Sequence, residues 1–202
     1  AIENRVGSTF SPLNVNNGFT NLQLNNNGKG RNIGVEFTLE RYFKNSWYAM
    51  ATLSLFDSRY VAADGVWRNT RFNAQYITNW LAGKEWKVGK ERNNILSANI
   101  RLIARGGNRI TPADLAASEI AGQLILQEQR AFEQAGFVYF RPDFALTYRK
   151  NKAKRAWSIS LDIQNVANFN NYDGYTYIVA RNELRKKQML GIIPLIFYRL
   201  EL

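Results

Sequence analysis

The side chains that carry most enzymatic chemistry are missing from this chain. It has 202 residues, with no cysteine and no histidine. Without cysteine there is no disulfide framework and no thiolate ligand. Without histidine the Ser-His-Asp and Cys-His arrangements, the usual zinc sites and the commonest general base are excluded. Carboxylates, Lys, Tyr and many arginines remain. Glu36 and Glu40 fall on one face of a strand-like segment. A glycosidase would need a partner carboxylate across a cleft. Arg71, Arg101, Arg105 and Arg141 fall on the polar face of similar segments. They suit contact with an anionic ligand or another protein segment; the plainer reading is a solvated wall, paired with Glu36, Glu40 or Asp143. Gly28-Lys29-Gly30 is read as preceding a strand rather than a helix, so it is no phosphate loop. No catalytic, cofactor or metal site emerges, and the expectation is a protein that is not an enzyme.

The elements that must position these residues show a period of two. In residues 156–166, Trp157, Ile159, Leu161 and Ile163 oppose Ser158, Ser160, Asp162 and Gln164. That is strand geometry with one apolar and one polar face. Residues 94–105, 33–43, 47–56, 72–86 and 140–148 repeat the pattern, and 190–202 follows it more weakly. The segment 72–86 places Phe72 and Ala74 on its apolar face and Asn73 on its polar face. About seven strands result. The first 25 or so residues, rich in Asn and Gly, read as a surface loop with room for one short strand.

The connections alternate in kind. Residues 44–46, 89–93 and 150–155 are short turns, whereas 62–68, 111–136 and 169–187 are long loops. Short turns at one end and long loops at the other are the pattern of outer-membrane β-barrels. A helical membrane protein would need about 20 consecutive apolar residues per span, and no such run occurs. The chain is 46% hydrophobic, yet its mean hydropathy is −0.36, as alternating strands require. The loop 111–136 carries helical spacing at Leu115, Ile120, Leu124 and Phe132, with Asp114 placed to cap. It reads as one or two short helices that cover the rim or line a binding site.

The formal net charge is +11. Many cations sit at the short turns: Lys44, Lys87, Lys90, Arg92, Lys150, Lys152, Lys154 and Arg155. They form no stripe interleaved with stacking aromatics, so nucleic acid is not the expected partner. Phe43, Trp47, Trp86, Tyr148 and Trp157 also fall near the short turns, where an aromatic girdle meets lipid headgroups.

Residues 27–40 (NGKGRNIGVEFTLE) resemble a strand near the end of TonB-dependent outer-membrane receptors, most closely those of the Bacteroidota. So do 51–58 (ATLSLFDS), 69–73 (NTRFN), 81–84 (LAGK), 106–112 (GGNRITP), 139–143 (YFRPD) and 161–165 (LDIQN), in that order. Residues 194–202 (PLIFYRLEL) resemble the closing strand, although such strands often end in Phe and this one ends in Leu202. The resemblance runs from about Gly7 to the end. It implies an all-β fold: antiparallel transmembrane strands, about seven or eight of them, from a barrel of about 22 strands. Residues 1–202 would be a C-terminal portion of that barrel domain, with the plug domain absent. It further implies energised uptake of a scarce nutrient such as an iron-siderophore, cobalamin or oligosaccharide. The implied location is the bacterial outer membrane. Lipid, the remaining strands, the plug, the nutrient and an inner-membrane TonB complex would be the partners. The six residues Arg71, Arg101, Arg105, Arg141, Glu36 and Glu40 would face the lumen, the long loops the outside, and the short turns and Leu202 the periplasm. A stand-alone eight-stranded barrel with a structural or adhesive role, and an outer-membrane enzyme, are the competing expectations.

Overall fold

The structure is a computed structural model that describes residues 2–5 and 24–201. The expected loop over the first 25 residues lies largely outside the described residues, as does Leu202. The fold is all-β and antiparallel. Its main sheet contains β1 (Ile2–Arg5), β2 (Leu24–Lys44), β3 (Trp47–Val61), β4 (Trp67–Asn69), β5 (Tyr76–Val88), β6 (Asn94–Arg105), β9 (Tyr139–Asn151), β10 (Ala156–Gln164) and β13 (Ile193–Glu201). The order is β1-β2-β3-β5-β6-β9-β10-β13, with β4 added beside β3. Every pairing within it is antiparallel. Two small hairpins sit among the long loops: β7 (Arg109–Ile110) with β8 (Gln134–Ala135), and β11 (Tyr172–Ile178) with β12 (Glu183–Gln188).

The alternation places two unlike surfaces on one sheet. One register row runs Leu39–Ala51–Trp80–Leu102–Pro142, and another Trp86–Leu96–Tyr148–Ile159–Tyr198. Such rows build a continuous apolar face, and it is open: Leu39 is 76% exposed, Ile196 74% and Ile100 59%. The opposite face is tied by polar rungs. Ser54 donates to Glu36 at 2.7 Å, Tyr48 donates to Asn99 at 2.8 Å, and Thr147 and Ser160 share a bond of 2.8 Å. Large apolar residues exposed over so wide an area mark a surface that meets something other than water.

The sheet is open among the described residues. β13 pairs on one side only, with β10, and β2 has β1 beside it only between Leu24 and Gly28. No described helix is long and apolar enough to cross a membrane.

The segments expected as strands are strands, with four corrections. Residues 72–75 are not part of β5; they form a turn in which Ala74 is buried. Gly28 and Gly30 lie inside β2, not ahead of it. The loops 62–68 and 169–187 carry strand of their own, because β4 extends the β3 edge and β11 pairs β12. The last strand starts at Ile193, after residues 190–192 have passed outside it.

The short turns are close to ideal. Asn45 and Ser46 both have positive φ (57° and 65°), as a two-residue hairpin matched to strand twist requires. In the loop 111–136, α1 (Leu115–Ala121) is capped as expected, since the Ala117 N–H donates to Asp114 Oδ1 at 3.0 Å. Its apolar residues do not form a buried face, however. Ile120 is 91% exposed, and the buried residue is Ser118. Ser118 Oγ donates to the Asp114 carbonyl and accepts from the Ile125 N–H, which folds the loop back on the helix.

Candidate functional site

The long-loop end of the sheet brings together all four sequence-predicted arginines, in two groups. The first lies on the polar face. Arg101 (β6) is paired in register with Asp143 (β9) and donates to its Oδ2 from Nε at 3.0 Å and Nη2 at 2.6 Å. Arg141, two residues from Asp143 on the same strand face, places Nε 3.1 Å from Oδ1, an ion pair without hydrogen-bond alignment. The Asn165 N–H also donates to Oδ1, at 2.9 Å. Asp143 is 4% exposed. One nearly buried carboxylate thus serves two guanidinium groups and a backbone donor, which satisfies its lone pairs.

The second group lies above it. Arg71 is not on a strand: it opens the turn that precedes β5, and its carbonyl accepts from the Arg109 N–H at 2.7 Å. Arg105, at the end of β6, donates to Asn108 Oδ1 at 2.8 Å and lies 5.3 Å from the Tyr139 ring centre. Arg71, Arg105 and Arg109 line a small cavity of about 70 Å³ with Asn108, Tyr172 and Asp173. A larger one, about 310 Å³, adjoins it through Arg71 and Arg109. Its other walls include Phe132, Leu124, Leu126, Gln134 and Tyr175, so the helix-bearing loop roofs it and β11–β12 closes one side. Phe137 lies 5.2 Å from both Tyr172 and Tyr175, and Lys186 Nζ sits 5.3 Å from the Phe137 ring centre. Cations over aromatic faces with an apolar wall suit a ligand that is anionic at one end and flat or apolar at the other.

Glu36 and Glu40 are not part of either group. Both lie on β2, exposed, with Glu36 held by Ser54 and Glu40 opposite Met50. Between Glu40 and Arg101 stand Met50 of β3 and Leu81 of β5. Among the described residues no three His, Cys, Asp or Glu side chains cluster so as to hold a metal.

The residues that sequence reasoning missed are asparagines. Asn73 is fully buried and ties its turn to β3 and β4: its Oδ1 accepts from the Ser58 N–H, and its Nδ2 donates to Asp57 and Asn69. Arg109 Nε donates to its carbonyl at 3.2 Å. Asn165 (φ 52°) closes a turn by exchanging bonds of 3.0 Å with both backbone groups of Phe169. Asn171 does the same to Phe140, at 2.9 and 2.8 Å. Buried amides satisfied on every side are costly to disturb. The motif segments held the signal: Asn73 ends NTRFN, Asn165 ends LDIQN and Arg109 sits in GGNRITP. The glycines of that last motif are steric. A Cβ on Gly106 would overlap the Ala74 carbonyl, and one on Gly107 the carbonyl of Gly136. The loops therefore cross in backbone contact beneath the cavity.

No family model, no curated protein and no solved structure matches this chain.

Proposed function

We propose that the chain is wall and loop of a bacterial outer-membrane β-barrel, from a TonB-dependent receptor that takes up a scarce nutrient. The observation that carries the reading is the open apolar face, which runs across the long strands and is bounded at one end by aromatic residues beside short turns. A barrel wall in lipid has that face outward and its polar face on a lumen. The two unpaired edges fit the same reading. Unpaired strand edges are not tolerated in lipid, so β2 and β13 need neighbouring strands. The receptor assignment rests on the ordered motif resemblance. In it Asp143, Arg101 and Arg141 tie the lumen wall together, and the cavity of Arg71, Arg105 and Arg109 faces the outside as part of nutrient capture. A stand-alone barrel has one observation in its favour: among the described residues the sheet path holds eight strands, an even number, although β1 is only four residues long.

Three measurements test the proposal. The intact gene product should fractionate with outer membranes and show heat-modifiable mobility. Ile100→Arg, on the apolar face, should cost about 2–4 kcal/mol of folding stability in lipid, whereas Thr38→Arg, exposed on the polar face, should be nearly neutral. Equal effects would overturn the membrane wall. The receptor reading stands or falls on growth: a deletion strain should fail on one limiting nutrient. The whole gene should rescue that growth, and a gene lacking residues 111–136 should not.

A further inference from the structure

The apolar face carries two cations in its lower half. Arg41 (β2) and Lys84 (β5) flank Trp47, which is the register partner of Lys84, while Arg41 is the partner of Ala49 two residues on. Both are stacked on indoles: the Arg41 guanidinium lies 3.9 Å from the Trp47 ring centre, and Lys84 Nζ lies 5.6 Å from that of Trp86. Neither is ion-paired among the described residues. The adjacent carboxylates, Glu40 and Glu85, project to the other face because strand side chains alternate. Arg41 Nε is shut off from solvent and has no hydrogen-bond partner. Charge on a surface otherwise built of Leu, Ile, Ala and Trp calls for a counter-charge.

Beside these cations the face is hollowed. Ala49, Ala51 and Ala82 form the floor of a groove of about 600 Å³, walled by Leu39, Trp80 and Ile100. The strand backbone beneath is committed to ladder bonds, so the groove offers apolar contact and no donors. Arg41 lines this groove at one end, and Lys84 lines the adjoining hollow of about 420 Å³ beyond Trp47, so polar recognition is confined to that end.

We propose that this groove is a binding site for one anionic phospholipid, with its phosphate between Arg41 and Lys84 and an acyl chain along the alanine floor. The inference rests on the membrane reading above, and it places the lipid in the leaflet nearest the short turns. A free phosphate would leave the groove uncovered. A second copy docked by the same face would bring more Leu, Ile, Ala and Trp while Glu40 and Glu85 point away from it, so the two cations would gain no counter-charge from those neighbours.

The test uses the intact gene product, extracted from outer membranes in mild detergent. Native mass spectrometry should find phosphatidylglycerol retained under conditions that strip phosphatidylcholine. Retention should fall at least tenfold in the Arg41→Gln/Lys84→Gln variant, and equally in Ala51→Phe, which fills the groove and leaves the cations in place. Excess glycerol 3-phosphate should not displace the lipid. The wild-type protein alone supplies a second readout: in mixed vesicles, brominated phosphatidylglycerol should quench tryptophan fluorescence more than brominated phosphatidylcholine at equal mole fraction. Equal retention and quenching by the two lipids would overturn the proposal. So would retention unchanged in both variants, displacement by glycerol 3-phosphate, or a lipid-free dimer. Failure of the wild-type protein to insert into vesicles at all would sink the membrane reading itself; insertion without lipid preference would sink the lipid site alone.

Discussion

Arg101 and Arg149 each meet a carboxylate across the sheet, at opposite ends of it. Arg149 reaches Glu201 at 2.6 Å near the short turns, and Arg101 reaches Asp143 at 2.6 Å near the long loops. The distances are equal and the settings are not. The Glu201 side chain is 42% exposed, that of Asp143 6%. Glu201 and Arg149 form a solvated rung that water and salt can replace. Asp143 also holds Arg141 and the Asn165 N–H, in a setting water hardly reaches. The same contrast runs through both ends. Short turns are closed mainly by local backbone geometry, such as the paired positive φ of Asn45 and Ser46, with a solvent-side bridge from Asn151 to Asn93 and Asn94. Long loops are closed by buried side-chain amides. One end is thus built residue by residue, and the other as a cooperative network that holds a cavity in shape.

Breaking Asp143 should have the largest effect. Asp143→Leu removes the shared partner of Arg101 and Arg141, which keep access to water, and of the Asn165 N–H, and should cost about 3 kcal/mol, read as a lowered urea midpoint in detergent. A loss no greater than that of Glu201→Gln would erase the distinction between the ends. Asn165→Ala comes next. It releases the backbone groups of Phe169 to water and puts alanine at a φ of 52°, together costing about 2 kcal/mol, and hydrogen exchange at Phe169 should accelerate. Asn45→Ala should cost about 1–2 kcal/mol, the penalty of a left-handed conformation for a residue with no local bond to offer, and should leave exchange at Phe169 unchanged. Glu201→Gln should cost less than about 1 kcal/mol and lose even that in high salt.

The smallest effect concerns pH. The Arg68 guanidinium bonded to Asp64, at 2.9 and 2.7 Å, holds that carboxyl below the usual carboxylate range. A carboxyl depressed in the folded state contributes stability above its unfolded pKa of about 3.9, and loses it as pH falls through the folded value. The loop 62–68 should therefore loosen below about pH 4, with exchange at the Val66 amide rising. Arg68→Gln should abolish that step. A step unchanged in the variant would assign it to another carboxyl.

The strands were legible because their signal is local. Trp157, Ile159, Leu161 and Ile163 announce a face through spacing alone, and β10 covers those four residues. The short turns were equally plain. Residues 72–75 failed because alternation continued past the true strand start, while Asn73 was pulled out of line by partners 16 and 36 positions away. The helix-bearing loop half failed. Asp114 capped as its type suggests, but the apolar spacing of Leu115 and Ile120 did not become a core, since the space behind α1 is filled by Ser118 and its backbone bonds. Arg71 was placed on a strand and lies in a turn, yet it still reaches the cavity that Arg105 lines.

Taken alone, the sequence determined that the protein is built of two-faced strands, that its connections differ in length from one end to the other, and that histidine and cysteine chemistry is absent. These follow from residue type and from a period of two, which need no knowledge of neighbours. Tertiary structure decided which residues meet. Arg101 and Asp143 are 42 positions apart, and they meet because β6 and β9 pair in that register; a slip of one residue would send one of them to the apolar face. The cavity of Arg71, Arg105 and Arg109, the grip of Asn73 and the groove beside Arg41 arise in the same way. Each depends on where strands stop and how they align, and no local pattern encodes that.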